Sequence, residues 1–379
     1  MMRNFRVAFF GSSLVSAYWN GAATYYRGII RALAARGARV TFYEPDVYDR
    51  QKHRDIPDPP WAEVVVYGGN GEAGVLRALE RARGADMLVK TSGVGAFDEL
   101  LETAVLEVKS SHSLVVFWDV DAPATLDRVE ANASDAFRAL IPRYDLILTY
   151  GGGEPVVSAY RALGARECVP VYNALDPETH HPAPPDRRFE GHLGLLANRL
   201  PDREARVEEF FLQAAVLSKG RQFLLGGSGW ADKPLPGNVR YMGHVYTSDH
   251  NAFNSTPRAV LNVNRESMAR YGFSPPTRVF EAAGAGACLI TDEWEGVELF
   301  LEPGAEVLVA RDGAEVAEHV RGLTAARARA VGCAALRRVL SEHTYAHRAA
   351  QLEALLSTNS KFSARGSEPK RPLRALSFG

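Results

Sequence analysis

The feature that most constrains this chain is a regular alternation of short apolar runs with longer amphipathic ones, repeated in two separate series. In the first, RVAFFG (6–11), ARVTFYE (38–44), ADMLVKT (85–91), SLVVFWD (113–119), DLILTYGG (145–152) and CVPVYN (168–173) read as buried strands. After the first run, Tyr26, Ile29, Ile30 and Leu33 fall at i, i+3, i+4 and i+7, and the pattern stops at Gly37, as an amphipathic helix does. FDELLETAVLEVK and EPVVSAYRALG fill later gaps in the same way. Apolar strands spaced by helices predict right-handed βαβ units and a mostly parallel sheet covered on both faces.

The alternation lapses at Asp176–Phe189, where DPETHHPAPPDRRF carries Pro177, Pro182, Pro184 and Pro185 and little apolar content. Residues 174–189 therefore read as a semi-rigid linker, in which His180 and His181 are expected to be solvated rather than metal-bound. A second series follows: HLGLLAN (192–198), RQFLLGGSG (221–229), NVRYMGHV (238–245), RAVLNVN (258–264), ACLITD (287–292) and EVLVAR (306–311). Val207, Phe210, Phe211, Ala214 and Leu217 form one predicted stripe on its first helix. The predicted organisation is a Rossmann-like domain over 1–173, the linker, a second such domain over 190–343, and a closing helix at 344–356 returning to the first domain. Residues 357–379 read as a disordered basic tail. Two parallel sheets arranged in this way face a central cleft, and open α/β sheets bind ligands at the carboxyl ends of their strands.

Composition narrows the function. Apolar residues make up 46% of the 379, enough to fill two cores, and 44 basic against 45 acidic residues leave no basic excess for a nucleic-acid partner. No apolar run reaches the length of a membrane span. Cys168, Cys288 and Cys333 stand far apart, which excludes a disulfide scaffold and a cysteine-based zinc site and fits a cytoplasmic location. GxGxxG after a strand, GxxxxGK[ST] and GxSxG are all missing, so the dinucleotide, P-loop and hydrolase-elbow readings lack support.

The most informative stretch is GFSPPTRVFEAAGAGACLITD, Gly272 to Asp292. Ser274 before Pro275 reads as an N-cap with proline at the first helical position. A helix starting there points backbone N–H groups and its positive dipole end at the cleft, which suits a diphosphate. Glu281 would lie about 10 Å further along, where one carboxylate can accept from two adjacent ribose hydroxyls. An ordinary capped core helix with a surface glutamate has the same spacing.

Arg278-Val-Phe-Glu281-Ala-Ala-Gly-Ala-Gly286, followed by LITDEWEGVELF, resembles the donor-binding half of GT-B glycosyltransferases related to family 4. WDVDAPATLDRV (118–129), LTYGGGEPVV (148–157), PVYNALDPETHHP (170–182), ANRLPDREARVEEFF (197–211), LLGGSGW (224–230) and YMGHVY (241–246) resemble the CgeB family, named for a spore-maturation protein. The likeness runs to about Leu356. It implies a GT-B fold, an α/β architecture of two Rossmann-like domains, and transfer of a sugar from a nucleoside diphosphate, most of all UDP. The acceptor would be a protein, a glycan or a small metabolite held by the first domain. Family 4 enzymes usually carry a second glutamate eight residues before the ribose-binding one, and here that position is Phe273.

Carried over residue by residue, the resemblance places Pro276, Thr277, Arg278 and Glu281 at the donor. Asn198, Arg199 and Arg203 follow the first strand of the second domain. Arg199 is expected to neutralise the diphosphate without metal, and Arg203 is either a second such group or a solvated helix residue. Gly227 and Ser228 permit close backbone approach, and Gly243, His244, Val245 and Tyr246 match the loop that holds the base. In the first domain Gly11, Ser12 and Ser13 end the opening strand near the acceptor. Asp119 is the expected general base or acceptor-orienting group; Asp121 is the second catalytic candidate, with a helix cap as its other reading. An Asp-x-Asp metal site of the GT-A kind would use both carboxylates; neither a metal nor another cofactor is expected. A sugar-nucleotide epimerase or a non-catalytic sugar-nucleotide binder would share the architecture.

Overall fold

The computed structural model describes residues 2–18 and 20–358. Seven parallel strands form the first sheet: β1 (Arg6–Phe10), β2 (Arg39–Asp46), β3 (Glu63–Gly68), β4 (Met87–Thr91), β5 (Leu114–Asp119), β6 (Leu146–Thr149) and β7 (Cys168–Pro170), in the order β3-β2-β1-β4-β5-β6-β7. Six more form the second: β8 (Leu193–Leu196), β9 (Phe223–Gly226), β10 (Val239–Gly243), β11 (Ala259–Asn262), β12 (Leu289–Asp292) and β13 (Leu308–Ala310), in the order β10-β9-β8-β11-β12-β13. In both sheets the order reverses beside the first strand, between β1 and β4 and between β8 and β11. These are the switch points where ligands sit in open α/β sheets. β3 is missing from the sequence reading. It is an edge strand, only partly buried and entered from the proline-rich Asp55–Pro60, so it lacks the clean signal of a central strand.

Central strands are buried on both faces because helices cover both, giving each sheet its own apolar core. The helix Pro201–Leu217 widens to π geometry at Glu208–Leu212. Val207, Phe210, Phe211 and Ala214 are buried as the stripe predicts, but the extra residue in that turn rotates Leu217 out to solvent and Ala215 inward.

The chain crosses between lobes twice. Leu175 leaves β7 and packs into the second lobe's core with Val279, Phe280 and Leu289. The last helix, Tyr345–Thr358, returns to the first lobe, burying Tyr345, Ala349, Leu352 and Leu356 against the helix Ala23–Ala35. A Cβ on Gly28 would collide with the Tyr345 ring, so glycine there lets the two helices close. That last helix takes in Ser357 and Thr358, first residues of the expected tail, and 359–379 lie outside the described residues. Among the described residues no helix is long and apolar enough to cross a membrane.

Candidate functional site

The carboxyl ends of both sheets meet at the seam between the lobes, and the loop 271–276 binds it. Gly152 N–H donates to the Phe273 carbonyl (2.8 Å), Asn173 donates to the Pro275 carbonyl (3.1 Å), and Tyr271 and Arg270 both reach Asp127 (3.1 and 2.7 Å). Phe273 holds φ at +47° with its ring against Gly153 and Gly296. The position where family 4 has its first glutamate therefore serves as an interlobe contact.

The helix starts later than expected. It spans Thr277–Gly284 with Pro276 at the cap position, so Ser274 is not its N-cap; it is buried against Gly151 of the first lobe. Two consecutive prolines cannot donate, and the helix's first backbone N–H groups belong to Thr277 and Arg278. Glu281 lies five residues beyond the cap, about 7.5 Å along the axis rather than ten. Its side chain is 11% exposed, with Oε2 3.5 Å from Arg278 Nη1 and Oε1 3.9 Å from His180 Nε2. Burial pushes the carboxyl up, but His180, Arg278, His250 and the Thr277 hydroxyl together hold it below the usual range, so it is ionised.

Beside it runs the loop after β10. Gly243 has φ +67°, Val245 is buried against Leu224, Phe253 and Phe189, and the His244 and Tyr246 rings meet edge to face at 4.8 Å with Tyr246 facing solvent. His250 Nε2 lies 3.3 Å from the Val245 carbonyl. The linker is well ordered here. His180 is buried beside Glu281 rather than solvated, because Ala183 and Asp186 donate backbone N–H groups to Ser255 and Thr256 and hold the linker on the second lobe.

Asn198, Gly227 and Ser228 act together as a brace. Ser228 N–H donates to Asn198 Oδ1 (2.9 Å), Arg199 N–H donates to the Ser228 carbonyl (2.9 Å), and a Cβ on Gly227 would strike the Ala197 carbonyl. The two candidate arginines are placed differently. Arg199 is taken up by Glu204 (2.7 Å) and Asp232 (3.1 Å) at the surface. Arg203 points inward, its Nε buried without a hydrogen-bond partner. Burial pushes its guanidinium down, and the neighbouring Arg265 and Arg278 add to this. Arg278 Nη1 is likewise buried without a hydrogen bond. Three cationic groups converge at the centre of the cleft. Arg265, missed in the sequence, joins them from the loop after β11; its only sequence signal was a basic residue just past a strand's carboxyl end.

The two aspartates are likewise placed differently. Asp119 is wholly buried: Oδ1 accepts from Asp121 N–H (3.0 Å) and the Thr125 hydroxyl (3.1 Å), and Oδ2 from the Tyr160 hydroxyl. A carboxylate so engaged is not placed to take an acceptor's proton, nor to share a metal with Asp121. Asp121 occupies the N-cap position of the helix Ala122–Ala131 without capping it. Its side chain opens to the cleft, 3.5 Å from Arg265 Nη1. Burial pushes the Asp121 carboxyl up, Arg265 pulls it partly back, and Asp119 raises it again.

Gly11, Ser12 and Ser13 are buried scaffold. Ser12 donates to Asn20 (2.9 Å), Ser13 and Leu14 N–H donate to the buried Glu44 (3.0 and 2.7 Å), and Gly11 fits under the Phe42 ring.

Residues 203–354 match the family model described as glycosyl transferase-like. None of the curated proteins matches the chain. Sucrose-phosphate synthase from Thermosynechococcus elongatus superposes with a TM-score of 0.70 at 15% identity, over 96% of this chain and 100% of that one. Anabaena Alr3699/HepE in complex with UDP-glucose gives 0.63 at 13% identity, over 93% and 100%. A structure described as trehalose-6-phosphate from E. coli bound with UDP-2-fluoro glucose gives 0.65 at 10% identity, over 93% and 99%. The fold is that of the GT-B glycosyltransferases.

Proposed function

We propose that this GT-B glycosyltransferase transfers a sugar from a UDP-sugar to an acceptor bound by the first lobe, and that it is of the CgeB kind. The observation that carries the reading is the convergence of Arg203, Arg265 and Arg278 at the start of a helix that holds the buried, ionised Glu281. Arg265 is paired with Asp202 and Asp121, but Arg203 and Arg278 have buried nitrogens without hydrogen bonds, which is costly, and a diphosphate supplies the missing charge and acceptors. The Anabaena and E. coli structures of this fold hold UDP-sugars, which supports the same donor here.

In this reading Glu281 accepts from the ribose, the loop Gly243–Tyr246 holds the base, and the arginines with the Thr277 and Arg278 N–H groups stabilise charge on the leaving UDP. Positive charge from side chains makes a metal dispensable, so activity should survive EDTA. Asp121, facing the cleft with a raised pKa beside Arg265, receives or orients the acceptor hydroxyl. Calorimetric titration with UDP tests the donor half: Glu281→Ala should weaken binding by about 1.5–3 kcal/mol, the range for hydrogen bonds to a charged group. Unchanged affinity would refute it. UDP release from UDP-sugars that depends on added acceptor supports transfer, whereas acceptor-independent release favours an epimerase or hydrolase.

A further inference from the structure

Thr179 donates its hydroxyl to the Asp176 carbonyl (3.2 Å) and lies 3.0 Å from His180 Nδ1. Thr179 thus occupies the Nδ1 side of the ring and leaves Nε2 to the cluster. Nε2 faces Glu281 Oε1 across 3.9 Å, beyond hydrogen-bond reach. Nearby, His250 Nε2–H points at the Val245 carbonyl, which can only accept, leaving Nδ1 as an acceptor. Burial, with Arg278 beside it, pushes His250 down to about 4, so this ring is neutral at pH 7. One ligating atom each from His180, His250 and Glu281 lie within 4.8 Å of one another. His180 and Glu281 are both buried. Nε2 and Oε1 stand side by side without bonding each other, and the two adjacent hydroxyls of a vicinal diol can reach one each.

We propose that the ribose diol is held by a carboxylate–imidazole pair, one hydroxyl donating to Glu281 and the other hydrogen-bonded to His180 Nε2, while His250 fixes the Val245 end of the base loop beside them. The inference rests on the reading of Glu281 as the ribose carboxylate. It makes the interlobe linker part of the donor pocket. A divalent cation also seeks such acceptors, but the Arg278 guanidinium, 3.5 Å from Glu281 Oε2, already places a positive charge there.

The test is titration of the full chain with UDP, 2′-deoxy-UDP and 3′-deoxy-UDP, in wild type, His180→Asn and His180→Gln. Asparagine keeps a polar group near the Nδ1 position and its contact with Thr179 but does not reach Nε2; glutamine restores a hydrogen-bonding group at that distance. Wild type should bind each deoxy analogue about tenfold more weakly than UDP. In His180→Asn UDP should weaken about tenfold and one analogue should bind as well as UDP, with discrimination returning in His180→Gln. His180→Asn that discriminates against both analogues as wild type does would overturn the proposal. So would Zn²⁺ that competes with UDP in wild type and not in His180→Asn, since the cluster would then be a cation site. If Glu281→Ala leaves UDP affinity unchanged, the ribose reading itself fails, a result distinct from either.

Discussion

The two lobes bring the same strand order to the same cleft, yet their edges differ in how far their polar groups are satisfied. In the first lobe Ser12, Ser13, Asn20 and Glu44 bond to one another, and Asp119 is closed off by Thr125, Tyr160 and a backbone N–H. In the second lobe Arg203 and Arg278 have buried nitrogens without hydrogen bonds, close to Arg265 and to an ionised Glu281. Satisfied polar groups hold a loop in one shape, whereas unsatisfied ones mark where a ligand completes the structure. Asp121 is the exception among the first lobe's cleft carboxylates. It faces the cleft and takes its cationic partner, Arg265, from the other side.

The sharpest way to break this contrast is to exchange the fates of the two aspartates. Asp121→Asn should lower turnover by about 10²–10⁴-fold, the range for losing a general base, with little effect on the unfolding midpoint. Asp119→Asn should instead lose about 1–3 kcal/mol of stability, because an amide offers hydrogens where three donors need acceptors. Steady-state rates alongside urea unfolding separate the two. An Asp119 variant that folds normally and is inactive would reverse the assignment.

Arg203 comes next. Arg203→Ala should reduce kcat/KM for donor by about 10²–10³-fold, as for other groups that stabilise charge in the transition state. Because its guanidinium is crowded by like charges, stability should hold or rise. A variant that loses stability and keeps its rate would show that Arg203 is scaffold.

What the sequence revealed follows the same division. Twelve of the thirteen strands stood out as short apolar runs bounded by turns, nine of them central and three at sheet edges, and the exception was the half-buried edge strand β3, entered from the proline-rich Asp55–Pro60. Glu281 and Arg278 were singled out because helix spacing and motif fell on one short segment, and the structure sets them side by side on the helix Thr277–Gly284. Asp119 and Asp121 were placed at the right sheet edge, but neither spacing nor residue type tells which carboxylate turns inward toward Tyr160, forty-one residues away. Arg199 and Arg203 could not be told apart for the same reason: Asp232, which pairs with Arg199, approaches only through the fold. His180 looked solvated among prolines because its burial depends on the linker docking to Ser255 and Thr256.

Acidification tests the seam where the chain returns to the first lobe. His343 is buried against Phe280 and Phe300, and its carbonyl accepts from Leu175 N–H. Burial, then Arg348, Arg338 and His347, push its imidazole down to about 3 from the ordinary 6.5. Between those values the unfolded chain binds the proton and the folded one does not, so the stability present above pH 6.5 is lost as pH falls. The loss approaches about 1.4 kcal/mol per pH unit, or about 2 kcal/mol by pH 5. Urea unfolding at pH 7 and pH 5 should show this difference in wild type and a smaller one in His343→Asn. Equal slopes would remove His343 as the cause.

The smallest effect belongs to Arg199. It is the arginine that the sequence favoured for the diphosphate, and it stands a few residues from Arg203 at the same sheet edge. Its guanidinium is matched by Glu204 and Asp232, with Lys233 also bonding Glu204 (2.8 Å), so it forms a solvated ion-pair network. Surface networks of this kind contribute little, and a diphosphate would have to displace two carboxylates to use it. Arg199→Ala should therefore leave UDP affinity within about twofold of wild type, since the lost contacts are surface ion pairs, and should barely move the unfolding midpoint. Calorimetry at low and high salt sharpens the comparison with Arg203. Loss of a phosphate-binding charge should flatten the salt dependence of UDP binding, whereas loss of a self-contained surface network should not. If Arg199→Ala weakens UDP as much as Arg203→Ala does, pairing with nearby carboxylates does not separate scaffold from site along this edge.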